Sequence, residues 1–160
     1  FIHLTYEGDS KNPDNNIWII GKTITFDTGG ISLKGPLGMS AMKGDMGGGA
    51  AVLSAFKVIC QYKPKINVNI ICPATDNMPS GSAQKPGDVV VAMNGISIEV
   101  DNTDAEGRLT LADAVSYAKK NNASMIIDIA TLTGAARVSL GEGQSAIFSN
   151  NDSFLSKICC

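Results

Sequence analysis

Asn102-Thr103-Asp104-Ala105-Glu106-Gly107-Arg108-Leu109 lies between an apolar, β-like run, Ile96 to Val100, and a helix-like run, Leu109 to Lys120. It packs two carboxylates one residue apart, and the first of the chain's two arginines, into a strand-to-helix junction. In an extended segment residues i and i+2 face the same side, so Asp104 and Glu106 are expected to share one cavity. Two like charges that close repel each other unless cations neutralise them. Such a group at such a junction points to a bound ligand, and a metal cluster is the leading candidate.

The same strand-then-loop pattern recurs on either side. Upstream, Phe1 to Tyr6 reads as a short strand, and Glu7 to Asn16, with Pro13, as a surface turn. Ile17-Trp18-Ile19-Ile20 is a continuous apolar run, suited to a strand buried on both faces, and it meets Gly21-Lys22. Thr23 to Phe26 is a second β-like run ending at Asp27, and the Gly-rich, irregular stretch Thr28 to Gly49 carries Lys34 and Asp45. Ala50 to Tyr62 shows helical spacing, with Val52, Phe56, Ile59 and Cys60 on one face, and Pro64 stops it.

Val68 to Cys72 reads as another buried strand and Pro73 to Gly87 as a long loop. Asp88 to Met93 and Gly95 to Val100 read as a hairpin turning at Asn94-Gly95. Downstream, Leu111, Ala114, Val115 and Ala118 share a helix face, and Lys119-Lys120 suit that helix's negative end. Met125 to Ile129 is a further buried strand, running into Ala130-Thr131-Leu132-Thr133-Gly134. Alternating strands and helices with two-sided apolar strands predict an α/β fold, a central mostly parallel or mixed sheet flanked by helices on both faces. In such folds ligands collect beyond the carboxyl ends of the strands, where most of these polar residues fall.

Composition narrows the function. The 160 residues suffice for one domain with a real core, and 44% hydrophobic with 18% charged residues suits a soluble, globular chain. A net charge of −2 offers no field to recruit nucleic acid or an anionic membrane. No apolar run approaches the roughly 18 residues of a membrane-spanning helix, and no signal pattern opens the sequence. The 17 glycines exceed the usual share of about 7% and cluster where strands give way to helices, as expected of a site built from loops. The chain starts at Phe1 without an initiator Met, so a fragment of a longer protein is expected, with elements missing at both ends.

The four cysteines match no zinc spacing. Cys60 and Cys72 read as reduced core residues of a cytosolic protein, and Cys159-Cys160 as a terminal pair that is either redox-active or an accident of truncation. His3 is the only histidine and reads as structural, which disfavours serine–histidine and cysteine–histidine catalysis.

Each polar residue also has a plain reading taken alone. Asp45 can cap the following helix, Asp27 can serve a turn, Asp104 and Glu106 can form a capping pair, and Lys22 and Lys34 can be solvated. Together these readings fare worse, because several acids sit in Gly-rich loops after buried strands. A carboxylate-rich, histidine-poor set suits two hard or borderline divalent ions, Mn²⁺, Mg²⁺ or Zn²⁺. Residue types and spacing reach a metal site and leave its reaction open.

At these residues the sequence resembles the leucyl (cytosol) aminopeptidase family. The family's octapeptide N-T-D-A-E-G-R-L is unbroken from Asn102 to Leu109. Its companions follow in order: Gly21-Lys22, Phe26-Asp27-Thr28-Gly29-Gly30, Ile31-Ser32-Leu33-Lys34, Met42-Lys43-Gly44-Asp45-Met46-Gly47-Gly48, and Thr131-Leu132-Thr133-Gly134. The match covers nearly the whole chain and is highly specific.

The resemblance implies a two-metal exopeptidase that hydrolyses the N-terminal residue, leucine or another apolar one, from peptides with a free N-terminus. Asp27, Asp104 and Glu106 would bind one ion; Lys22, Asp27, Asp45 and Glu106 would bind the other. Mn²⁺ or Zn²⁺ is implied, with Mg²⁺ as a further option. Lys22 would have to give up its proton to act as a ligand, a change that burial and metal charge both favour. The implied nucleophile is a water between the metals. Lys34 would be the catalytic cation near the scissile carbonyl, and Arg108 would hold a bicarbonate that serves as general base. Met42, Thr131 and Gly134 would line the side-chain pocket, and Asn102 and Leu132 would help position substrate.

The resemblance further implies a cytoplasmic homohexamer. Residues 1–160 would be a partial C-terminal catalytic domain, with the N-terminal domain and the end of the catalytic domain absent. The departures from the family pattern are Thr23 where Gly is usual, Thr28 where Ser is commoner, and Gly49 where Ala is usual. Two competing readings are a non-catalytic relative acting as a structural or binding protein, and a two-metal phosphoesterase.

Overall fold

The computed structural model describes residues 1–158. Its strands are β1 (Ile2–Glu7), β2 (Asn16–Gly21), β3 (Thr23–Asp27), β4 (Asn67–Cys72), β5 (Ala74–Asn77), β6 (Asp88–Val91), β7 (Ser97–Val100) and β8 (Met125–Ile129). Its helices are α1 (Gly47–Tyr62), α2 (Glu106–Lys120), α3 (Gly134–Leu140) and α4 (Asp152–Ile158), with 3₁₀ turns at Met39–Gly44 and Thr103–Ala105. The Cys159-Cys160 pair lies outside the described residues.

The main sheet has the order β1-β4-β2-β8. The pairs β4–β2 and β2–β8 are parallel, and β1 joins β4 antiparallel, so the sheet is mixed. The period of two along each strand sorts its side chains between the two helices. Trp18, Ile20 and Ile71 pack with Leu111, Ala114 and Ala118 of α2 on one face. Val68 and Ile70 pack with Val52 of α1 on the other. Fully burying each large aliphatic side chain contributes about 1.5–3 kcal/mol, so this sandwich fixes where the strand ends, and their polar residues, emerge.

The hairpin expectation holds in outline. β6 and β7 pair antiparallel, and the turn closes through Gly95 N–H to Ala92 O at 2.8 Å and Ala92 N–H to Ile96 O at 2.9 Å.

Five expectations need correction. Met125–Ile129 is not a buried strand: β8 is the edge of the main sheet, half-buried with Asp128 and Ile129 exposed, because only β2 pairs with it. Residues 73–87 are not all loop: β5 lies there and pairs parallel with β3 in a second, two-stranded sheet. Four residues with polar Thr, Asp and Asn give no alternating signal, and this strand exists because β3 offers it an edge. Helix α1 starts at Gly47, three residues before the expected Ala50, because its glycines sit close against the end of β2. Cys60 is exposed. Eight positions beyond Val52 at 3.6 residues per turn leave it about 80° off the buried stripe, and Leu53 packs against that core instead. Finally, Asp104 and Glu106 do not lie in an extended segment: residues 103–105 form a 3₁₀ turn and Glu106 opens α2. The cause is Asn102, whose side-chain oxygen accepts Asp104 N–H at 2.8 Å and turns the chain.

His3 behaves as expected of a structural residue. Its ring packs near Trp18 and Tyr117, and its Nε2 lies 3.0 Å from Asn69 Oδ1.

Candidate metal centre

Three chain reversals bring the acids together. β3 delivers Asp27 at its carboxyl end, the 3₁₀ turn 39–44 delivers Asp45 at its close, and the 3₁₀ turn 103–105 delivers Glu106 at the start of α2. One oxygen from each of Asp27, Asp45 and Glu106 lies within 4.8 Å of the others, the one such acidic group among the described residues. Asp45 is not the cap of α1, whose N-cap position is Met46 without a side-chain bond. Its carboxylate instead turns inward.

Lys22 follows β2 and is 3% exposed. Its backbone N–H donates to Ile129 O at 3.0 Å, and its carbonyl accepts Gly49 N–H at 2.8 Å, which clamps it between β8 and α1. The ammonium meets Asp45 Oδ2 at 2.7 Å and Glu106 Oε1 at 3.2 Å, and donates to Thr131 O at 3.0 Å. Asp45 Oδ2 is buried, and beyond this ion contact it accepts no well-directed hydrogen bond.

Lys34 is reached through a tight loop in which Gly29 and Gly30 take φ of 87° and 69°, a region that side-chain-bearing residues avoid. Lys34 N–H donates to Thr28 O at 2.9 Å and closes the loop. Its ammonium pairs with Asp27 Oδ2 at 2.8 Å and with Asp104 Oδ1. Asp104 thus joins the cluster through Lys34 and is not one of the group of three. Thr103, buried within the octapeptide, staples the two loops: its hydroxyl donates to Gly29 O at 2.6 Å and accepts Ser32 N–H at 2.8 Å.

The two ammonium groups face four carboxylates, leaving the cluster with an excess of negative charge. Burial pushes the Asp27 carboxyl up, but Lys34, the Gly29 N–H and Asn77 outweigh it and hold it below the usual value. Burial likewise pulls Lys34 down, and its bonds to Asp104 and Asp27 reverse this and hold it above the usual value. Glu106 is raised chiefly by burial, with Asp27 adding to the shift and Lys22 opposing it.

Oxygen donors converging with surplus negative charge fit a hard or borderline divalent cation. A buried carboxylate oxygen with a single ion contact fits as well, since a cation would complete it.

The remaining expected residues divide into two groups. Thr131 joins the cluster, its hydroxyl donating to Asp45 Oδ1 at 2.8 Å. Met42 is half-buried in the turn before Asp45, and its carbonyl accepts Asp45 N–H at 3.2 Å. Asn102 is engaged in the Asp104 cap. Gly134 is exposed at the start of α3. Arg108 is exposed and, with Lys119, Asp128 and Leu132, lines an open hollow of about 460 Å³ whose wall contains none of the clustered carboxylates.

Asn77 and Thr103 escaped the sequence reading. Thr103 had a signal, its place inside the octapeptide, but nothing about Thr75-Asp76-Asn77 as a polar tripeptide marks the last residue.

Two of the three departures noted in the sequence, Thr23 and Gly49, meet in the structure. A Cβ on Gly49 would lie 2.2 Å from Thr23 Oγ1, so the Thr23 side chain occupies the space that an alanine at 49 would take.

Residues 1–159 match the family model described as "Cytosol aminopeptidase family, catalytic domain". A probable cytosol aminopeptidase of Alkaliphilus oremlandii is 54% identical over 157 residues, which cover 98% of this chain and 31% of that protein. One of Gloeobacter violaceus is 53% identical over 158 residues, covering 99% and 31%. Among solved structures, the bottromycin maturation enzyme BotP in complex with Mn superposes with a TM-score of 0.91 at 38% identity, covering 98% of this chain and 34% of that one. Caenorhabditis elegans leucine aminopeptidase (LAP1) superposes with a TM-score of 0.91 at 36% identity, covering 98% and 32%. The chain thus spans about a third of the length of these relatives. With its octapeptide, its cluster of acids and a match along nearly its full length, this chain belongs to the cytosol aminopeptidase family.

Proposed function

We propose that this chain carries the metal-binding part of an aminopeptidase active site, which removes the N-terminal residue, leucine or another apolar one, from peptides. The observation that supports this most is the convergence of Asp27, Asp45 and Glu106 in a chain of the cytosol aminopeptidase family. Asp27, Asp104 and Glu106 would hold one divalent ion, and Lys22, Asp27, Asp45 and Glu106 the other. The ions, Mn²⁺ or Zn²⁺ with Mg²⁺ as a further option, would supply Lewis acidity and bring the pKa of bound water toward about 7.

The chain's own groups do the rest. Asp27 stays ionised because Lys34, Gly29 and Asn77 all favour its charged form. Lys34 stays protonated at neutral pH, so it presents a cation to the oxygen of the scissile carbonyl as charge develops there. A contact of that kind is worth on the order of 3 kcal/mol. Arg108, exposed and lining the same hollow as Leu132, would hold a bicarbonate through its planar fork, and that ion would supply the general base. Met42, Thr131 and Gly134 border the pocket for the substrate side chain, and Asn102 and Leu132 orient the substrate.

We further infer that residues 1–160 are part of the catalytic domain of a longer, cytoplasmic protein that assembles as a homohexamer. No helix among the described residues is long and apolar enough to cross a membrane.

The test is hydrolysis of leucine amide by the full-length protein with Mn²⁺ or Zn²⁺. Activity that disappears on chelation, and in Asp104→Asn, is expected. Metal binding without hydrolysis would point instead to a non-catalytic binding role. Metal-independent hydrolysis, or hydrolysis indifferent to Asp104, would refute the mechanism.

A further inference from the structure

Asn77 ends β5 directly opposite Asp27 on β3. Its carbonyl accepts Thr28 N–H at 2.9 Å and the Thr28 hydroxyl at 2.7 Å, so its backbone is pinned where the loop after Asp27 departs. Its side-chain amide donates to Asp27 Oδ1 at 2.9 Å, Thr103 O at 3.0 Å and Glu106 Oε2 at 3.3 Å. An amide nitrogen carries two protons, so these three acceptors share them.

The choice of oxygens is informative. Asn77 engages one oxygen of each carboxylate, and the other oxygen of each faces an ammonium. Asp27 Oδ2 meets Lys34 at 2.8 Å, and Glu106 Oε1 meets Lys22 at 3.2 Å. A neutral donor stands behind the two acids and cationic groups stand in front. An arginine or lysine at Asn77 would also bind both acids, but it would neutralise the charge that attracts a metal. An amide fixes two like charges without competing for that role.

We propose that Asn77 is the positioning residue of the metal centre: it sets the spacing and orientation of Asp27 and Glu106 so that their outer oxygens are engaged and their inner oxygens converge on a divalent cation. This rests on the metal reading above. Partners that orient metal ligands in this way typically contribute about 10–100-fold to metal affinity.

The test is calorimetric titration of the chelator-stripped, full-length protein with Mn²⁺, comparing wild type, Asn77→Ala, Asn77→Ser and Thr25→Val. The last removes a hydrogen bond between the same two strands, from Thr25 to Asp76, away from the acids. Asn77→Ala is expected to bind Mn²⁺ about 10–100-fold more weakly. Asn77→Ser, which keeps one donor on a shorter arm, should show a smaller loss, and Thr25→Val should match wild type. Wild-type affinity in a folded Asn77 variant overturns the proposal. So does an equal loss in Thr25→Val, or failure of both Asn77 variants to fold, because the role would then be structural. A wild-type protein that takes up no Mn²⁺ gives a different result: it defeats the metal reading itself.

Discussion

Thr23 and Gly49 allow a quantitative test of how β3, which starts just after Lys22, is locked to α1. Thr23 is 6% exposed, and its hydroxyl donates to Gly21 O at 2.8 Å. Gly49→Ala would place a methyl 2.2 Å from that hydroxyl and 3.1 Å from Thr23 Cβ. A β-branched side chain holding a hydrogen bond cannot simply rotate away. Overpacking of this kind costs about 1–3 kcal/mol, and the better helix propensity of alanine returns about 1 kcal/mol. A net loss of about 0–2 kcal/mol is expected. Thr23→Gly removes the hydroxyl bond, worth about 1 kcal/mol, adds about 0.5–1 kcal/mol of backbone entropy cost and leaves a void.

In the double variant the alanine methyl fills that void. The double change should therefore cost less than the sum of the single ones, with a coupling of about 2 kcal/mol, inside the range of 0.5–3 kcal/mol found for contacting residues. Urea midpoints of the metal-free, full-length proteins measure this. Losses that add to within about 0.5 kcal/mol would refute the claim that the two positions share one space.

Other expectations follow from the same geometry. Gly107→Ala lies inside α2, where propensity alone favours alanine by about 1 kcal/mol. Its methyl would nevertheless fall 2.5 Å from Lys22 Cε, so the variant should melt lower than wild type and bind Mn²⁺ more weakly, and a higher melting temperature would count against the packing described. Peptide-mapped alkylation of the native protein should modify exposed Cys60 rapidly and spare Cys72, whose thiol is buried and pushed up by burial, with a Thr23 hydrogen bond only partly opposing. Equal labelling of the two would show that β4 is not the core strand.

The third expectation concerns pH. Asp27 titrates below its ordinary 3.8 in the metal-free protein, so its contribution is full above that value and is lost as pH falls through the lowered native one. The stability gap between wild type and Asp27→Asn should narrow below about pH 4. A gap that stays constant down to full protonation would exclude this linkage.

What the sequence disclosed depended on how local the determinant was. The Ile17–Ile20 run packs on both faces of the sheet, so its continuous apolar character marks it as a strand without knowledge of neighbours, whereas the apolar residues of Met125–Ile129 mark a strand but not its place at the sheet edge. The octapeptide and its companion motifs identified the cluster because its members lie in loops next to such strands. Determinants that act between segments were hidden. β5 has no pattern of its own and forms on the edge of β3. Asn77 matters only because that pairing sets it beside Asp27. The extended reading of Asp104 and Glu106 failed because Asn102, expected at the substrate, turns the chain by capping it. Lys22 and Lys34 were expected as a ligand and a catalytic cation. Their ion pairs with four carboxylates could not be foreseen from spacing, since those pairs join residues 70 or more apart as well as near neighbours.

The central claim is that Asp27, Asp45 and Glu106 converge to hold divalent metal. Diffraction from crystals of the full-length protein grown with Mn²⁺, measured at the manganese absorption edge, tests it directly. The account predicts anomalous density within coordination distance of these three carboxylates, and its loss in Glu106→Gln. Manganese density elsewhere with none at this cluster, or density that persists unchanged in Glu106→Gln, would contradict it.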